Sequence, residues 1–402
     1  MTEAPALAAP RNRLRRLLAF EGVEALVAIA LWKLGTFATA YIAWALLPFN
    51  QDLYTANYRY GDRIPTSFAS SFNTWDSQHF IRLAEQGYRE GLLSNAFGPL
   101  YPLLIRVTNF ITGDSIVSGL LIANVASAAA LFLLYRLVSR RWGRDTGFAT
   151  LLLCMAFPTA FFFNLIYTEA LFLLLLVLLF YGLQDRRLWL AAIAAFLLPL
   201  LRVPGLVAIV PMLWVLGGDA LRVSFAGLRP RFEGVRWNTD LLYLVAPVAG
   251  FAAYLAWMHI EVGDAFVAMH TEDEFISGWA IENVLRPDRL VDDFFLADYS
   301  VHDYLTSAID RIFFAAFVFS LPLVYRRVDM PMFLLCTIIG LQPFLGSFMS
   351  YTRLMMVAFP LYIAYAATFT RWEPRLTYAV AYPMLLLQSV FLALHVNSNW
   401  VA

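Results

Sequence analysis

Long apolar runs that recur along this chain restrict it to a membrane-spanning fold more firmly than any single motif does. Hydrophobic residues make up 60% of its 402 residues and charged residues only 14%, whereas about a quarter of the residues in a soluble globular domain are charged. Because the lipid interior offers no water to backbone groups, such runs cross it as helices. The sequence therefore predicts an all-α, polytopic integral membrane protein.

Eleven runs are long enough to cross the roughly 30 Å of hydrocarbon in a bilayer. We place them at 18–47, 115–138, 146–163, 167–184, 188–201, 203–217, 240–259, 304–325, 331–349, 352–370 and 376–396. The pair on either side of Arg202 is short, so two spans or one broken span are the alternatives there. The predicted architecture is a bundle of about eleven transmembrane helices with an outer juxtamembrane helix region.

The distribution of arginine predicts the orientation of this bundle. With eleven spans and a cytoplasmic N-terminus, the densest arginine clusters all fall on the cytoplasmic side, as the positive-inside rule expects. A single long span through Arg202 would move every later cluster outside, so we favour two spans. The chain is then a multi-pass protein of the cell membrane. The clusters lie at 11–16, 136–144, 186–187, 222–236, 326–327 and 371–375.

We divide the chain into an Arg-rich cytoplasmic tail at 1–16 and a transmembrane domain at 17–402. Two large outer loops are predicted within that domain, a first loop at 49–114 and an acidic loop at 260–303. The formal net charge is zero, so no basic surface points to a nucleic-acid partner. The expected surroundings are membrane lipids instead.

No metal or redox site is expected from the cysteine and histidine residues. Cys154 and Cys336 lie in apolar runs, where they read as small core residues rather than as a disulfide or metal ligands. The histidines have no metal-ligand spacing, and no nucleotide-binding fingerprint is present. The function must therefore be sought in the remaining polar residues.

A polar island follows the first predicted span, from Trp75 to Tyr88. Spanning a bilayer does not require an acid at this position. A carboxylate at the mouth of a membrane bundle, here Asp76 beside Trp75 and near His79, could take a proton from a substrate hydroxyl at the lipid surface. The island is the first candidate for the functional site.

The residues from Ser77 onward predict a short amphipathic helix within this island. Ile81, Leu83 and Ala84 would form its apolar side, lying in the plane of the membrane interface. Asp76 would stand at the helix N-terminus, where aspartate is also a common cap. A catalytic base and a plain helix cap are equally good interpretations of that position.

A proline-rich loop forms the second candidate element, between Ala96 and Leu103. Its two prolines restrict the backbone before a helix. The plain interpretation is a helix entry. The functional interpretation is a rigid loop that places Phe97 and Tyr101 against a sugar or a lipid.

Three charged residues complete the outer-face candidates. Glu169 follows Tyr167 and opens an otherwise apolar helix, where a carboxylate is favourable at the N-terminus but costly against the membrane. Arg202 and Arg353 stand at outer span ends, where they could bind a phosphate through bidentate hydrogen bonds. The alternative is that they snorkel to the interface or form an interhelical ion pair, such as one of Arg353 with Glu169. Lys33, inside the first span, must face the bundle or a cavity, and no role is assigned to it.

In their order along the chain these motifs resemble the PIG-V family of GPI mannosyltransferase 2-like proteins, as a bacterial homologue. The resemblance covers most of the chain. One departure is Gly98-Pro99, where an aromatic–proline pair is expected. The matching motifs are Trp75-Asp76 with His79, Ala84-Glu85 with Gly87-Tyr88, Ala96-Phe97 with Pro99 and Pro102, Tyr167 with Glu169-Ala170-Leu171-Phe172, Arg202 with Gly205, and Ser350 with Arg353.

The resemblance implies a GT-C glycosyltransferase whose active site lies on the extracytoplasmic face. A hexose, mannose in the first place, would pass from a polyprenyl-phosphate donor to a hydroxyl of a lipid or glycan acceptor, with inversion and without a cofactor or metal. Asp76 matches the family's first-loop acid, the expected base. The expected substrate-binding residues are Trp75, Gln78, His79, Phe97, Tyr101, Tyr167, Glu169, Arg202 and Arg353.

Three other functions stay open at this point. A lipid-linked transferase for a different sugar, such as arabinose or glucose, would share all of these motifs. A membrane transporter is the alternative from another class, although transporters often show repeated halves and no repeat is visible in the sequence. A non-catalytic scaffold, in which Asp76 only caps a helix, is the third.

Overall fold

The computed structural model describes residues 22–57, 67–218, 223–226, 229–232, 239–273, 281–296, 300–301 and 307–401. These residues are mainly helical, which confirms the predicted all-α membrane class. One short antiparallel hairpin departs from it, with strands Val223–Ala226 (β1) and Arg229–Phe232 (β2). The predicted tail at 1–16 and parts of the acidic loop at 260–303 lie outside the described residues.

The helices are numbered in chain order. They are α1 Val23–Leu46, α2 Gln51–Asn57, α3 Asp76–Gln86, α4 Leu100–Thr112, α5 Ser115–Trp142, α6 Arg144–Ala156, α7 Glu169–Gln184, α8 Leu188–Leu201, α9 Ile209–Met212, α10 Val245–Val262, α11 Val267–Asp273, α12 Pro287–Phe295, α13 Ala308–Arg327, α14 Met330–Gly340, α15 Tyr351–Met355, α16 Phe359–Trp372 and α17 Arg375–Val396. Shorter helical turns lie at Ser70–Phe72, Leu93–Ala96, Ala160–Asn164, Val203–Ala208, Leu213–Gly217, Thr239–Leu244, Ile281–Leu285 and Gln342–Phe344.

Within the described residues, 5 helices are long and apolar enough to cross a membrane. The other predicted spans appear as shorter apolar helices, such as α7, α8 and α14. A helix needs about 20 residues to cross the hydrocarbon of a typical bilayer, so the total of eleven spans stays a prediction. The long helices are Val23–Leu46, Ser115–Trp142, Thr239–Val262, Ala308–Arg327 and Arg375–Val396.

Two predicted spans in the C-terminal part of the chain are interrupted in the structure. The segment predicted as 352–370 is divided between α15 and α16, and the segment predicted as 331–349 ends as a helix at Gly340. In both cases a proline stands in the first turn of the next helical element, Pro360 in α16 and Pro343 in the turn that follows α14. Proline lacks an N–H and fits that first turn, so each one begins a new element.

The described part of the first outer loop, predicted at 49–114, contains three helices and packs onto the bundle. Helix α3 begins at Asp76, close to its predicted start. The predicted apolar side, Ile81, Leu83 and Ala84, is buried against the bundle, whereas Glu85 and Gln86 are exposed. The helix is thus amphipathic as expected, and its place in the membrane interface stays a prediction.

An arginine of α4 closes the C-terminal end of α3. Arg106 donates from Nε to the backbone oxygen of Ala84 at 2.7 Å and from Nη2 to that of Leu83 at 3.2 Å. The last carbonyls of a helix have no partner within it. Arg106 satisfies that of Ala84 and adds a second donor to that of Leu83, which also accepts from the backbone N–H of Gly87. These bonds fix α3, and with it the polar island, against the rest of the fold.

Lys33 faces the interior of the bundle, as its position in the first span requires. Its ammonium group donates to Asn124 Oδ1 at 3.0 Å, to Ser127 Oγ at 2.6 Å and to Asn164 Oδ1 at 2.6 Å. These acceptors belong to α5 and to the turn Ala160–Asn164. The lysine therefore ties α1 to the segment that leads into α7.

Replacing this lysine should destabilise the fold. Lys33→Met removes the donor from two amide oxygens, and leaving a buried polar group unpaired costs about 1–3 kcal/mol. We expect the free energy of unfolding in detergent to fall by that amount. Leu34→Met, at an exposed neighbouring position, is the matched control and should leave stability unchanged. Equal stability of both variants would show that the lysine contributes nothing to packing.

Candidate active site

Four ionisable side chains from distant parts of the chain meet at one end of the bundle. Arg353 donates from Nη2 to Asp76 Oδ2 at 2.6 Å and from Nε to Glu169 Oε1 at 2.9 Å. Arg202 Nη1 lies 3.6 Å from the same Glu169 oxygen. We call these four residues the ion-pair cluster. Its two cations and two carboxylates alternate in sign, and their formal charges cancel.

A strained turn presents Asp76 at the start of α3. Trp75 holds the N-cap position with φ 54° and ψ −129°, a conformation that is costly for a bulky side chain and is seen most often at functional sites. Its indole is buried and contacts the ring of Trp400 edge-on, with the centroids 5.0 Å apart. Asp76 is thus the first helical residue, and its carboxylate accepts from Arg353 rather than capping the helix.

Glu169 opens α7 after a completely buried turn. That turn contains Phe161, Phe162 and Phe163, none of which is exposed. The Glu169 side chain is 0% exposed, whereas that of Asp76 is 25% exposed. Solvent and a substrate hydroxyl can therefore reach Asp76, while Glu169 serves as an internal counter-charge for the two arginines.

Arg353 lies in the short helix α15, between aromatic faces. Its guanidinium stands 5.4 Å from the ring centroid of Phe162 and 5.0 Å from that of Tyr167, within the range of cation–π attraction. Ser350, the residue before α15, has a φ of 56° in the left-handed region. Trp75 and Ser350 are thus two residues with an unfavourable backbone conformation next to residues of the cluster.

Asp310 fixes this segment and was not predicted from the sequence. Its carboxylate accepts from the backbone N–H of Thr352 at 2.7 Å and also from the Thr352 hydroxyl. Asp310 is buried in the first turn of α13. The only sequence signal for it is an acid at the head of an otherwise apolar helix, the same signal that drew attention to Glu169.

The aromatic candidates differ in their surroundings. His79 stacks on Phe97 with ring centroids 4.8 Å apart, one turn after Asp76. Tyr101 is wholly buried and donates to the backbone oxygen of Gly119 at 3.0 Å, so it packs α4 on α5 instead of facing a substrate. Gln78 is also buried and donates to the backbone oxygen of Asn73 at 3.4 Å.

Tyr88 holds the proline-rich loop against α3. Its hydroxyl donates to the backbone oxygen of Phe97 at 2.7 Å. Burial raises the pKa of the Tyr88 hydroxyl well above its usual value, which keeps the proton that makes this bond. The pairing explains why a tyrosine at the end of the polar island accompanies the loop motif in the sequence.

The C-terminal segment also reaches the site, which no motif in the sequence indicated. His395, near the end of α17, lies 5.9 Å from the ring of Tyr167. The backbone oxygen of Asn397 accepts from the backbone N–H of Asn50 at 2.9 Å, and Trp400 contacts Trp75. The last residues of the chain thus close the same end of the bundle as the ion-pair cluster.

Gly98, the departure from the expected aromatic–proline pair, approaches the backbone that carries Arg202. A Cβ atom at this position would lie 2.5 Å from the oxygen of Leu201 and 2.7 Å from that of Leu200. Real Cβ atoms do not approach a backbone oxygen so closely, so only glycine fits. The close contact at Gly98 therefore fixes the position of the proline-rich loop relative to Arg202.

Gly98→Ala should consequently disturb the site as well as the fold. Forcing an extra carbon into a packed region costs about 1–3 kcal/mol, and the strain falls on the residue before Arg202. We expect lower thermal stability together with a loss of sugar transfer that exceeds the loss of folded protein. Gly35→Ala, which meets nothing within 4 Å, is the control. A fully stable and active Gly98→Ala variant would contradict the close approach.

Similarity to known proteins bears on the same part of the chain. Residues 62–216 match the family described as Mannosyltransferase (PIG-V). The matched segment contains Asp76, Glu169 and Arg202, while Arg353 lies beyond it. No curated protein matches the chain. The match confirms the resemblance that the motifs indicate: residues 62–216 are similar to the PIG-V mannosyltransferases, and this similarity makes the chain a membrane glycosyltransferase.

Proposed function

We propose that this chain transfers a hexose, mannose in the first place, from a polyprenyl-phosphate donor to a hydroxyl of a lipid or glycan acceptor. The reaction takes place on the extracytoplasmic face of the cell membrane and inverts the anomeric carbon. The observation that carries the proposal is the ion-pair cluster at one end of a helical membrane bundle, in which an accessible carboxylate is bonded to a buried arginine and a second arginine is paired with the buried Glu169.

Asp76 acts as the general base. The acceptor oxygen attacks the anomeric carbon, its proton passes to the Asp76 carboxylate, and the bond from that carbon to the donor phosphate breaks. The phosphate leaves with the electron pair. One quarter of the Asp76 side chain is exposed, so an acceptor can reach it. Glu169 is wholly buried, and for that reason Asp76 rather than Glu169 is the base.

Arg202 and Arg353 stabilise the departing phosphate. Polyprenyl phosphate leaves as an anion, so it needs positive charge rather than a proton. The Arg202 side chain is 22% exposed and that of Arg353 is 10% exposed, so Arg202 meets the phosphate first. A phosphate that also reaches Arg353 competes with Asp76 for its guanidinium, which frees the carboxylate as the donor binds.

Glu169 is a positioning residue in this scheme. Its carboxylate accepts a hydrogen bond from Arg353 and forms an ion pair with Arg202, and it does not contact solvent. A guanidinium group that binds a phosphate through two hydrogen bonds must be held in one orientation. The buried Glu169 carboxylate holds the guanidinium of Arg353 in place. Tyr167 and Phe162 support the same guanidinium from their ring faces.

A transfer assay on the purified protein tests the proposal. Synthetic polyprenyl-phosphate mannose, glucose and arabinose would be offered with a panel of lipid and glycan acceptors, and NMR of the product would give its anomeric configuration. Transfer of mannose with inversion supports the proposal. Transfer of another sugar alone would favour the related lipid-linked transferase. Inert donors, with solute uptake into sealed vesicles, would indicate a transporter.

A further inference from the structure

A cavity of about 470 Å³ lies at the end of the bundle away from the ion-pair cluster. It is bounded by the start of α6 and the last turns of α13 and α16. Helix α13 runs from Asp310, beside the candidate site, to Arg326 and Arg327 at this cavity. A helix of that length spans about 30 Å, so the cavity and the site face opposite leaflets.

Positive charge dominates the lining of this cavity. It contains four arginines, Arg144, Arg326, Arg327 and Arg371, and one carboxylate, Asp145. Arg144 pairs with Glu24 at 2.7 Å. The guanidinium groups of the other three have no hydrogen-bond or ion-pair partner among the described residues. The positive-inside rule explains arginine at this end of the bundle, but it does not explain why three uncompensated cations surround one cavity.

The lining also contains backbone donors suited to an anion. Helix α6 begins here behind Gly143, and no side chain caps its N-terminus, so its first N–H groups and its dipole favour negative charge. The hydroxyls of Thr146 and Thr370 also line the cavity, but their protons are engaged within the protein, since Thr370 donates to the backbone oxygen of Ala366 and Thr146 to Thr370. The groups left for a ligand are guanidinium and backbone N–H groups, and both kinds recognise phosphate oxygens.

We propose that this cavity binds the phosphate of an anionic phospholipid from the leaflet at that end of the bundle. Basic pockets between membrane helices are sites for acidic lipid head groups. Trp142 lines the cavity, and tryptophan concentrates at head-group depth. Along α13, Phe319 and Tyr325 are exposed large apolar side chains, which offer a surface to the acyl chains of the same lipid. A free phosphate ion would leave that surface unused.

Lipid titration tests this site without relying on enzyme activity. The purified protein would be placed in phosphatidylcholine nanodiscs with increasing phosphatidylglycerol, and both the unfolding midpoint and the lipid retained in native mass spectrometry would be measured. A ligand that binds the folded state raises the unfolding midpoint. With about a factor of five lost per arginine, Arg327→Gln with Arg371→Gln should weaken phosphatidylglycerol binding about twenty-five-fold.

The control removes the same charge outside the cavity. Arg187→Gln with Arg375→Gln changes two exposed arginines at the same end and should leave phosphatidylglycerol binding intact. An equal response of wild type, cavity variant and control, or no response of the wild type, would overturn the proposal. If the double cavity variant does not fold, Arg371→Gln alone, compared with Arg375→Gln, gives the same comparison.

A second arm separates the lipid from a free ion. Inorganic phosphate would be titrated into the detergent-solubilised protein at fixed ionic strength. A stabilisation that appears with phosphatidylglycerol but not with inorganic phosphate supports the lipid. If inorganic phosphate alone gives the full stabilisation, and the cavity variant loses it, the lipid assignment is overturned in favour of a free anion.

Discussion

Asp76→Asn is expected to reduce sugar transfer by about 10²–10⁴-fold, the usual contribution of a general base, while the fold remains intact. Asparagine has the same size, and its side-chain oxygen can still accept the hydrogen bond from Arg353. It cannot accept the proton of the acceptor hydroxyl. The loss should appear in kcat, with a smaller change in KM for the donor. Initial rates at saturating donor and acceptor, beside unfolding midpoints, measure both effects.

The matched control is Asp114→Asn. Asp114 caps α5 by accepting from the backbone N–H of Val117 at 2.9 Å, and asparagine caps a helix about as well as aspartate. The control should therefore keep both activity and stability. Near-normal turnover of Asp76→Asn would place the base elsewhere and leave Asp76 a structural partner of Arg353.

Local features of the sequence are enough to predict the membrane class and much of the site. Hydropathy alone places the long helices, because the lipid imposes the same requirement on every span. The polar island predicts a helix that starts near Ser77, one residue from the observed start at Asp76, and the isolated acid at Glu169 predicts a helix start there. The ion pair of Arg353 with Glu169, one of the two alternatives for that arginine, is also present.

Tertiary contacts decide what the sequence could not. The division of the predicted span at 352–370, and the bond from Asp310 that holds Thr352, depend on how α13 and α15 pack together. Tyr101 stands beside two prolines in the sequence, where an accessible position is expected, yet packing on α5 buries it completely. Trp400 lies far along the chain from Trp75, and no periodicity or spacing relates residues so distant.

Arg353→Gln is expected to lower both stability and transfer. The substitution leaves the wholly buried Glu169 with Arg202, at 3.6 Å, as its cationic neighbour within the cluster. Removing one member of a buried ion pair costs about 3–5 kcal/mol, and the remaining arginine should keep the loss near the lower end. Arg140→Gln, which removes an exposed pair with Asp185, is the control and should cost no more than about 1 kcal/mol.

The double variant Arg353→Gln with Glu169→Gln separates the two roles of the cluster. With both side chains neutral, no buried carboxylate is left without its ion-pair partner, so most of the lost stability should return. Transfer should stay low, because the leaving phosphate has lost a cation and Asp76 has lost the donor that orients it. Unfolding midpoints and initial rates on the same preparations give the comparison. Recovery of transfer together with stability would show that Arg353 supports the fold alone and takes no part in the reaction.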